Sequence, residues 1–296
     1  MSYSHCLHQS FTERVLKMLG AGNSVNVVIE RLGEEVERFV ADVRACPLPS
    51  ETRLLVVDIR VCRHRFEQFL SELARQLELE FDDLTQVLSE LERSRQRSIV
   101  VLNNFQALGE SEVDPQFNRS FYEKLNALKN LDQVALLLIT DRRQSEILFN
   151  IAGEWKTSQL DIPQVEWLPA LSDDQARYEL RQQCPQLSDS QVFQVLQQCP
   201  LSEGYDYNLL MCLAKQLRDE RFPQDIPNFI KQLKRWKKRC QGKTWEYGLR
   251  KWIDGIQKFW GAMKLRNVVN KLWHLVADPL ENLADLLKNL FGKSKD

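Results

Sequence analysis

Residue types that could do chemistry cluster at four places in this 296-residue chain. The first is a glycine turn, Gly33, followed by Glu34, Glu35 and Val36, lying between a β-prone run and a helical stretch. Such a junction points backbone N–H groups at an anion. The second is Asn103-Asn104-Phe105-Gln106, directly after the apolar run Ser98–Leu102. Paired acids at the end of a strand would hold a metal ion; the amides here carry no charge and are no general base at neutral pH. The third is Thr140, a hydroxyl closing the apolar run that ends Leu138-Ile139-Thr140-Asp141-Arg142-Arg143. The fourth is the cationic, aromatic stretch beginning at Lys231.

The elements that must position these groups follow from periodicity. Ser10-Phe11-Thr12-Glu13 has the form of a capping box opening a helix to Leu19. Ser24–Ile29 reads as a strand, and Val36, Phe39, Val40 and Val43 mark one face of the next helix. Leu54–Ile59, Ser98–Leu102 and Val134–Ile139 are short, nearly continuous apolar runs, and Val165–Leu168 makes a fifth. Helical patterns separate them, carrying Phe66 to Leu77, Phe81 to Leu91 and Phe117 to Leu128. Continuous apolar strands alternating with helices describe a parallel sheet covered on both faces, so the class is α/β. After Pro169 the pattern is wholly helical, with Ser172-Asp173-Asp174 as a helix start and further helices over about 188–198 and 208–219. The expected organisation is an α/β domain over 1–170, a helical lid-like subdomain over 171–230, and a basic, Trp-rich helical region over 231–296.

Composition limits the classes. Hydrophobic residues make up 43% of the chain and charged residues 27%, ordinary values for a globular protein. No apolar run is long enough to span a bilayer, and residues 1–10 lack a signal-peptide pattern, so the expected location is cytoplasmic. Seven cysteines without a C-x-x-C pair argue against a disulfide framework or a zinc ribbon. His5-Cys6-Leu7-His8 could offer ligands to a soft metal but reads as a solvated arm. No metal or cofactor is expected.

The order of these stations resembles the AAA+ and STAND-type P-loop ATPases. The resemblance implies a phosphate loop G-x-x-x-x-G-K-[ST] after the first strand, whose lysine bridges phosphates and whose hydroxyl binds magnesium. Laid on Ile29–Val36, the lysine is replaced by Glu35 and the hydroxyl by Val36, and both signature glycines are gone. Glu34, Glu35 and Glu37 would serve the helix N-terminus themselves and repel a polyanion. The resemblance also implies an acidic pair after the third strand; it stands here as Asn103-Asn104. Thr140 sits at the polar sensor station, and Cys199–Leu213 resembles the segment that opens a lid helix in this group. The implied protein is a non-catalytic ATPase-fold adaptor or assembly subunit that oligomerises or pairs with an active relative, in a complex for transposition, DNA maintenance or defence. One alternative is an NTPase with displaced residues, using Arg31 and Asp58.

The remaining reading concerns charge. Residues 231–296 hold 16 Lys/Arg and 6 Asp/Glu (+10), leaving 24 and 35 for residues 1–230 (−11). Five of the seven tryptophans also fall in that last quarter. Lys234, Arg235, Trp236, Lys237, Lys238, Arg239, Lys243, Trp245, Arg250 and Lys251 are the candidates for contact with nucleic acid or a partner, through phosphate attraction and base stacking. A helical subdomain with core tryptophans and a peripheral membrane surface are the competing readings of the same residues.

Overall fold

The computed structural model describes residues 6–30, 33–48, 51–80, 83–94, 96–110, 112–151, 154–157, 160 and 162–241. Lys243, Trp245, Arg250 and Lys251, together with Arg31, lie outside the described residues.

In chain order, α1 (Gln9–Gly20) leads into β1 (Val25–Val28), α2 (Glu34–Ala45), β2 (Thr52–Asp58), α3 (Ile59–Cys62), α4 (Phe66–Leu77) and α5 (Leu84–Arg93). Then come β3 (Arg97–Asn103), a 3-10 turn at Phe105–Gly109, α6 (Arg119–Lys129) and β4 (Val134–Thr140). An antiparallel hairpin, β5 (Leu148–Ile151) and β6 (Glu154–Thr157), precedes β7 (Gln164–Trp167). The helical part contains α7 (Asp173–Gln183), α8 (Asp189–Leu196), a small ladder of β8 (Pro200–Leu201) and β9 (Gly204–Tyr205), and α9 (Tyr207–Asp219). A last helix, α10, covers 226–241 of the described chain.

The sheet has five strands in the order β2-β3-β4-β1-β7, every neighbouring pair parallel. This is the P-loop-type α/β arrangement that the sequence predicts. The apolar runs are continuous because both faces are covered. In β4, Ala135, Leu137 and Ile139 pack with α1 and α2, while Val134, Leu136 and Leu138 pack with α4, α5 and α6. Edge strand β2 is blocked by a side chain: Gln76 of α4 accepts the Val56 N–H at 2.7 Å and donates to its carbonyl at 2.8 Å. One amide thus stands in for a neighbouring strand where bare backbone would invite pairing.

Two helix starts match their sequence signals. Ser172 with Gln175 and Ser188 with Gln191 form complete capping boxes on α7 and α8. The Ser10 box does not form. Helix α1 begins at Gln9, and the N–H groups of Leu7 and His8 just before it are taken by the Asp42 carboxylate of α2, each at 2.9 Å. The first turn of α1 itself has no side-chain cap.

The expected boundary at 230/231 falls inside α10. Phe229, Leu233, Trp236 and Cys240 of this helix share a core with Leu180, Val192, Leu213 and Leu217 of the lid, and Leu7 of the arm reaches into the same core. A disulfide, Cys212–Cys240, joins α9 to α10 across 28 residues of sequence. The search for closely spaced cysteines overlooks it because its partners come from separate helices.

Candidate functional site

In open parallel sheets the ligand crevice lies beyond the C-terminal ends of the strands, where the strand order reverses. Here β1 enters from between β4 and β7, and α2 follows it. The first turn of α2 carries Glu34, Glu35 and Glu37, and its N-cap Gly33 supplies no side-chain hydrogen bond. Val36, which the resemblance would set at the magnesium hydroxyl, faces inward and is part of the core shared with α1.

The N-terminus of α2 is served from within the chain. The Asn208 carboxamide, on the first turn of lid helix α9, accepts the Glu35 N–H at 3.1 Å through Oδ1, and its Nδ2 lies 3.5 Å from the Glu35 carboxylate. A Cβ placed on Gly33 would come within 2.6 Å of Asn208 Oδ1, so the glycine is what lets the lid approach this closely. The amide meets both charges of the position: its oxygen faces the helix dipole and its nitrogen faces the acid. A phosphate oxygen would compete with Asn208 for the same N–H and face Glu35 as well.

The end of β3 is similarly tied up. Asn104 adopts the left-handed conformation (φ 54°), which asparagine tolerates better than most residues. Its Nδ2 donates to Asp58 Oδ1 at 3.0 Å, and its Oδ1 accepts from Arg60 at 2.9 Å. The same Asp58 oxygen caps α3 by accepting the Arg60 N–H at 2.9 Å. A glutamate at 104 would present a carboxylate to Asp58 in place of a donor, so the amide suits its neighbour. Asn103 lies in register with Asp58 across the strand pair, and its buried Oδ1 has no partner among the described residues.

Thr140 is fully buried and spends its hydroxyl internally. It accepts from Asn26 Nδ2 at 2.7 Å and donates to the Arg142 carbonyl at 2.6 Å, while Asn26 Oδ1 accepts the Gln144 N–H at 2.8 Å. These bonds fix the turn leaving β4. The polar closure of that strand is the feature visible in the sequence; its use here is structural.

One turn along α2, away from the crevice, lies a network that sequence reasoning missed. Arg38 is fully buried; its guanidinium meets Asp42 at 3.0 Å and Glu179 of lid helix α7 at 3.3 Å. Asp42 holds the Leu7 and His8 N–H groups, and the Leu7 carbonyl accepts from Gln175 of α7 at 2.6 Å. Arm, α2 and lid therefore meet in one buried junction. Arg38 and Asp42 at i and i+4 look like an exposed helical ion pair in the sequence; Glu179, 141 residues from Arg38, makes the difference.

The cationic candidates divide by face. Trp236 is buried, with its indole N–H on Glu220 at 3.1 Å, so it belongs to the lid core and cannot stack on a base. Its spacing from Phe229 and Leu233 is the inner stripe of an amphipathic helix. On the outer face Lys231, Lys234, Arg235, Lys238 and Arg239 are exposed and Lys237 is half-buried. Arg239 pairs with Glu220 at 3.3 Å; the other five make no ion pair among the described residues.

The described residues contain no His/Cys/Asp/Glu cluster that could hold a metal ion, and no helix long and apolar enough to cross a membrane. No family model matches the chain, and no curated protein matches it. Among solved structures, a Walker-type ATPase of Pyrococcus abyssi superposes with a TM-score of 0.48 at 14% identity, covering 82% of this chain and 75% of that one. Cdc6p of Pyrobaculum aerophilum gives 0.47 at 14% identity over 71% and 59%. The ORC1 protein of Aeropyrum pernix, in complex with DNA, gives 0.44 at 14% identity over 77% and 64%. Likenesses at this level leave the chemistry to be read from the residues themselves.

Proposed function

We propose that this chain is a non-catalytic ATPase-fold subunit, an adaptor or assembly protein whose lid closes on the sheet without nucleotide. The observation that carries the proposal is the Asn208 carboxamide on the Glu35 N–H at the start of α2. The amide takes the place of a phosphate oxygen, and the lid contact that a nucleotide would otherwise mediate is made directly. The Asn104–Asp58–Arg60 bonds support the same reading, since the would-be water-activating position is built into a neutral bridge. What such a protein offers a complex is its surfaces. The exposed cations of α10 fit a polyanion, and we assign them to the phosphate backbone of a nucleic acid, read without sequence preference. A protein partner, either an active ATPase relative or a second copy, belongs to the same proposal.

Two assays on the full chain test it. Steady-state phosphate release from Mg-ATP should stay at the level of a blank; turnover that disappears in Asp58→Asn would favour the rival enzyme, in which Asp58 beside Asn103 serves as the displaced acid. Binding to a labelled oligonucleotide should weaken steeply with salt and fall at least tenfold in a Lys234→Glu/Arg235→Glu/Lys238→Glu variant. Equal binding by that variant would remove α10 from the proposal.

A further inference from the structure

Five cysteines remain outside the Cys212–Cys240 bond, and two of them lie side by side. The Sγ atoms of Cys6 and Cys46 are 3.0 Å apart, closer than two unbonded sulfurs normally rest. Cys6 is in the arm before α1, and Cys46 is the C-cap of α2, so the pair spans 40 residues of sequence. Cys62, Cys184 and Cys199 are buried in the cores.

We propose that Cys6 and Cys46 are an oxidation site, a thiol pair that closes into a second disulfide and fastens the arm to α2. Two S–H bonds break and one S–S bond forms. The two electrons and two protons pass to a low-molecular-weight disulfide, which is cleaved to two thiols. One cysteine first exchanges with this oxidant to give a mixed disulfide, and the second then displaces the small thiol.

The placement gives the bond a purpose. The two residues after Cys6 donate their backbone N–H groups to Asp42, and the Leu7 carbonyl accepts from the lid residue Gln175. The Leu7 side chain is buried in the lid core, while α1 packs on the sheet. The arm is therefore the strap between lid and sheet, and a Cys6–Cys46 bond would anchor it beside the buried Arg38–Asp42–Glu179 network. Oxidation closes a long loop and reduces the freedom of the unfolded chain, so the oxidised protein gains resistance to unfolding.

The chemistry also sets the pace. Burial is the first cause that pushes the Cys6 thiol up, to about 12, and it raises Cys46 as well, with the Asp42 charge adding to both. Thiolate is scarce at neutral pH, so uncatalysed closure in the folded protein is slow and quickens as pH rises. Once made, the bond is shielded from attack on the buried Cys46 side, while Cys6 is half-buried.

The test uses the full-length chain refolded from urea in a buffer of reduced and oxidised glutathione, so that equilibrium rather than access decides the pairing. Acid quenching, alkylation with N-ethylmaleimide and peptide mass spectrometry then read the bonds. The expected result is a peptide linked through Cys6–Cys46 beside the Cys212–Cys240 peptide. The melting temperature should be several degrees above that of Cys46→Ser and Cys6→Ser, which keep Cys212–Cys240. Full alkylation of Cys6 and Cys46 in refolded protein whose circular dichroism is native would overturn the proposal. So would a glutathione adduct on either residue that persists without the linked peptide. Identical melting of linked protein and Cys46→Ser would overturn the assigned role of the bond.

Discussion

The first turn and the middle of α2 solve opposite problems with similar residues. At its N-terminus, Glu34, Glu35 and Glu37 stand in a partly exposed turn, and the lid touches them through one neutral amide, at 3.1 and 3.5 Å. One turn later, Arg38 and Asp42 are fully buried and meet the lid through Glu179 and the arm through backbone N–H groups. Carboxylates near water at a helix start contribute modestly and repel anions; charges withdrawn from water must be paired, and they punish any loss of a partner. The contrast locates the lid's attachment in the ionic junction rather than in the crevice where a ligand would sit. On the proposed function, closure would then need no nucleotide.

The contrast is sharpest under mutation. Arg38→Met leaves Asp42 and Glu179 facing each other in a buried junction and should cost about 3–5 kcal/mol of unfolding free energy by urea denaturation. A cost under about 1 kcal/mol would show that the junction contributes no more than the crevice does.

The next largest effect is a pH dependence. His8 is buried beside this junction, and neither ring nitrogen has a partner among the described residues. Desolvation is the main cause that lowers its pKa from 6.5 to about 4; Arg38 lowers it further and Asp42 opposes. The unfolded chain takes up this proton near pH 6.5, and the folded protein refuses it until about pH 4. Stability contributed by neutral His8 is therefore fully present above the unfolded value, falls as pH drops through that window, and levels off below it, an effect of about 3 kcal/mol. His8→Leu should flatten this part of the curve while keeping stability at pH 7, because no hydrogen bond of the ring is lost. An unchanged slope in His8→Leu would assign the acid sensitivity to other groups.

The smallest effect belongs to the crevice. Asn208→Ala removes the amide from Glu35 and should cost only about 1 kcal/mol. A much larger loss would move the lid's attachment to the N-terminal end of α2 and reverse the comparison.

How much of this was legible in the sequence follows from how far apart the partners are. The strands are readable because each apolar run is local, and Ser172 and Ser188 announce their helices because their capping partners are three residues away. Gly33, Glu35, Asn103 and Asn104 stand out by their spacing from the strands; Gly33 caps and Glu35 opens α2, Asn103 ends β3 and Asn104 follows it. The rest depends on distant contacts. Nothing local to Arg38 or Asp42 marks them for burial, and nothing local to Ser10 reveals that Asp42 serves the start of α1 instead. Asn208 lies 173 residues from Glu35, and only the folded lid brings the two together. Trp236 differs for another reason: the density of Lys and Arg around it suggests a binding surface, whereas its spacing with Phe229 and Leu233 describes the buried side of the same helix. The hairpin β5–β6 carries no tight two-residue signal of the Asn-Gly kind, so the sequence does not announce it.

The central claim is the proposal that the start of α2, where Asn208 takes the Glu35 N–H, does not take nucleotide. Isothermal titration of the full-length protein with Mg-ATP at neutral pH measures this most directly. The structure predicts no saturable heat up to millimolar nucleotide, for the natural chain and for Asn208→Ala alike, because Glu35 stays in place when the amide is removed. Saturable binding in the micromolar range by the natural chain would contradict the account.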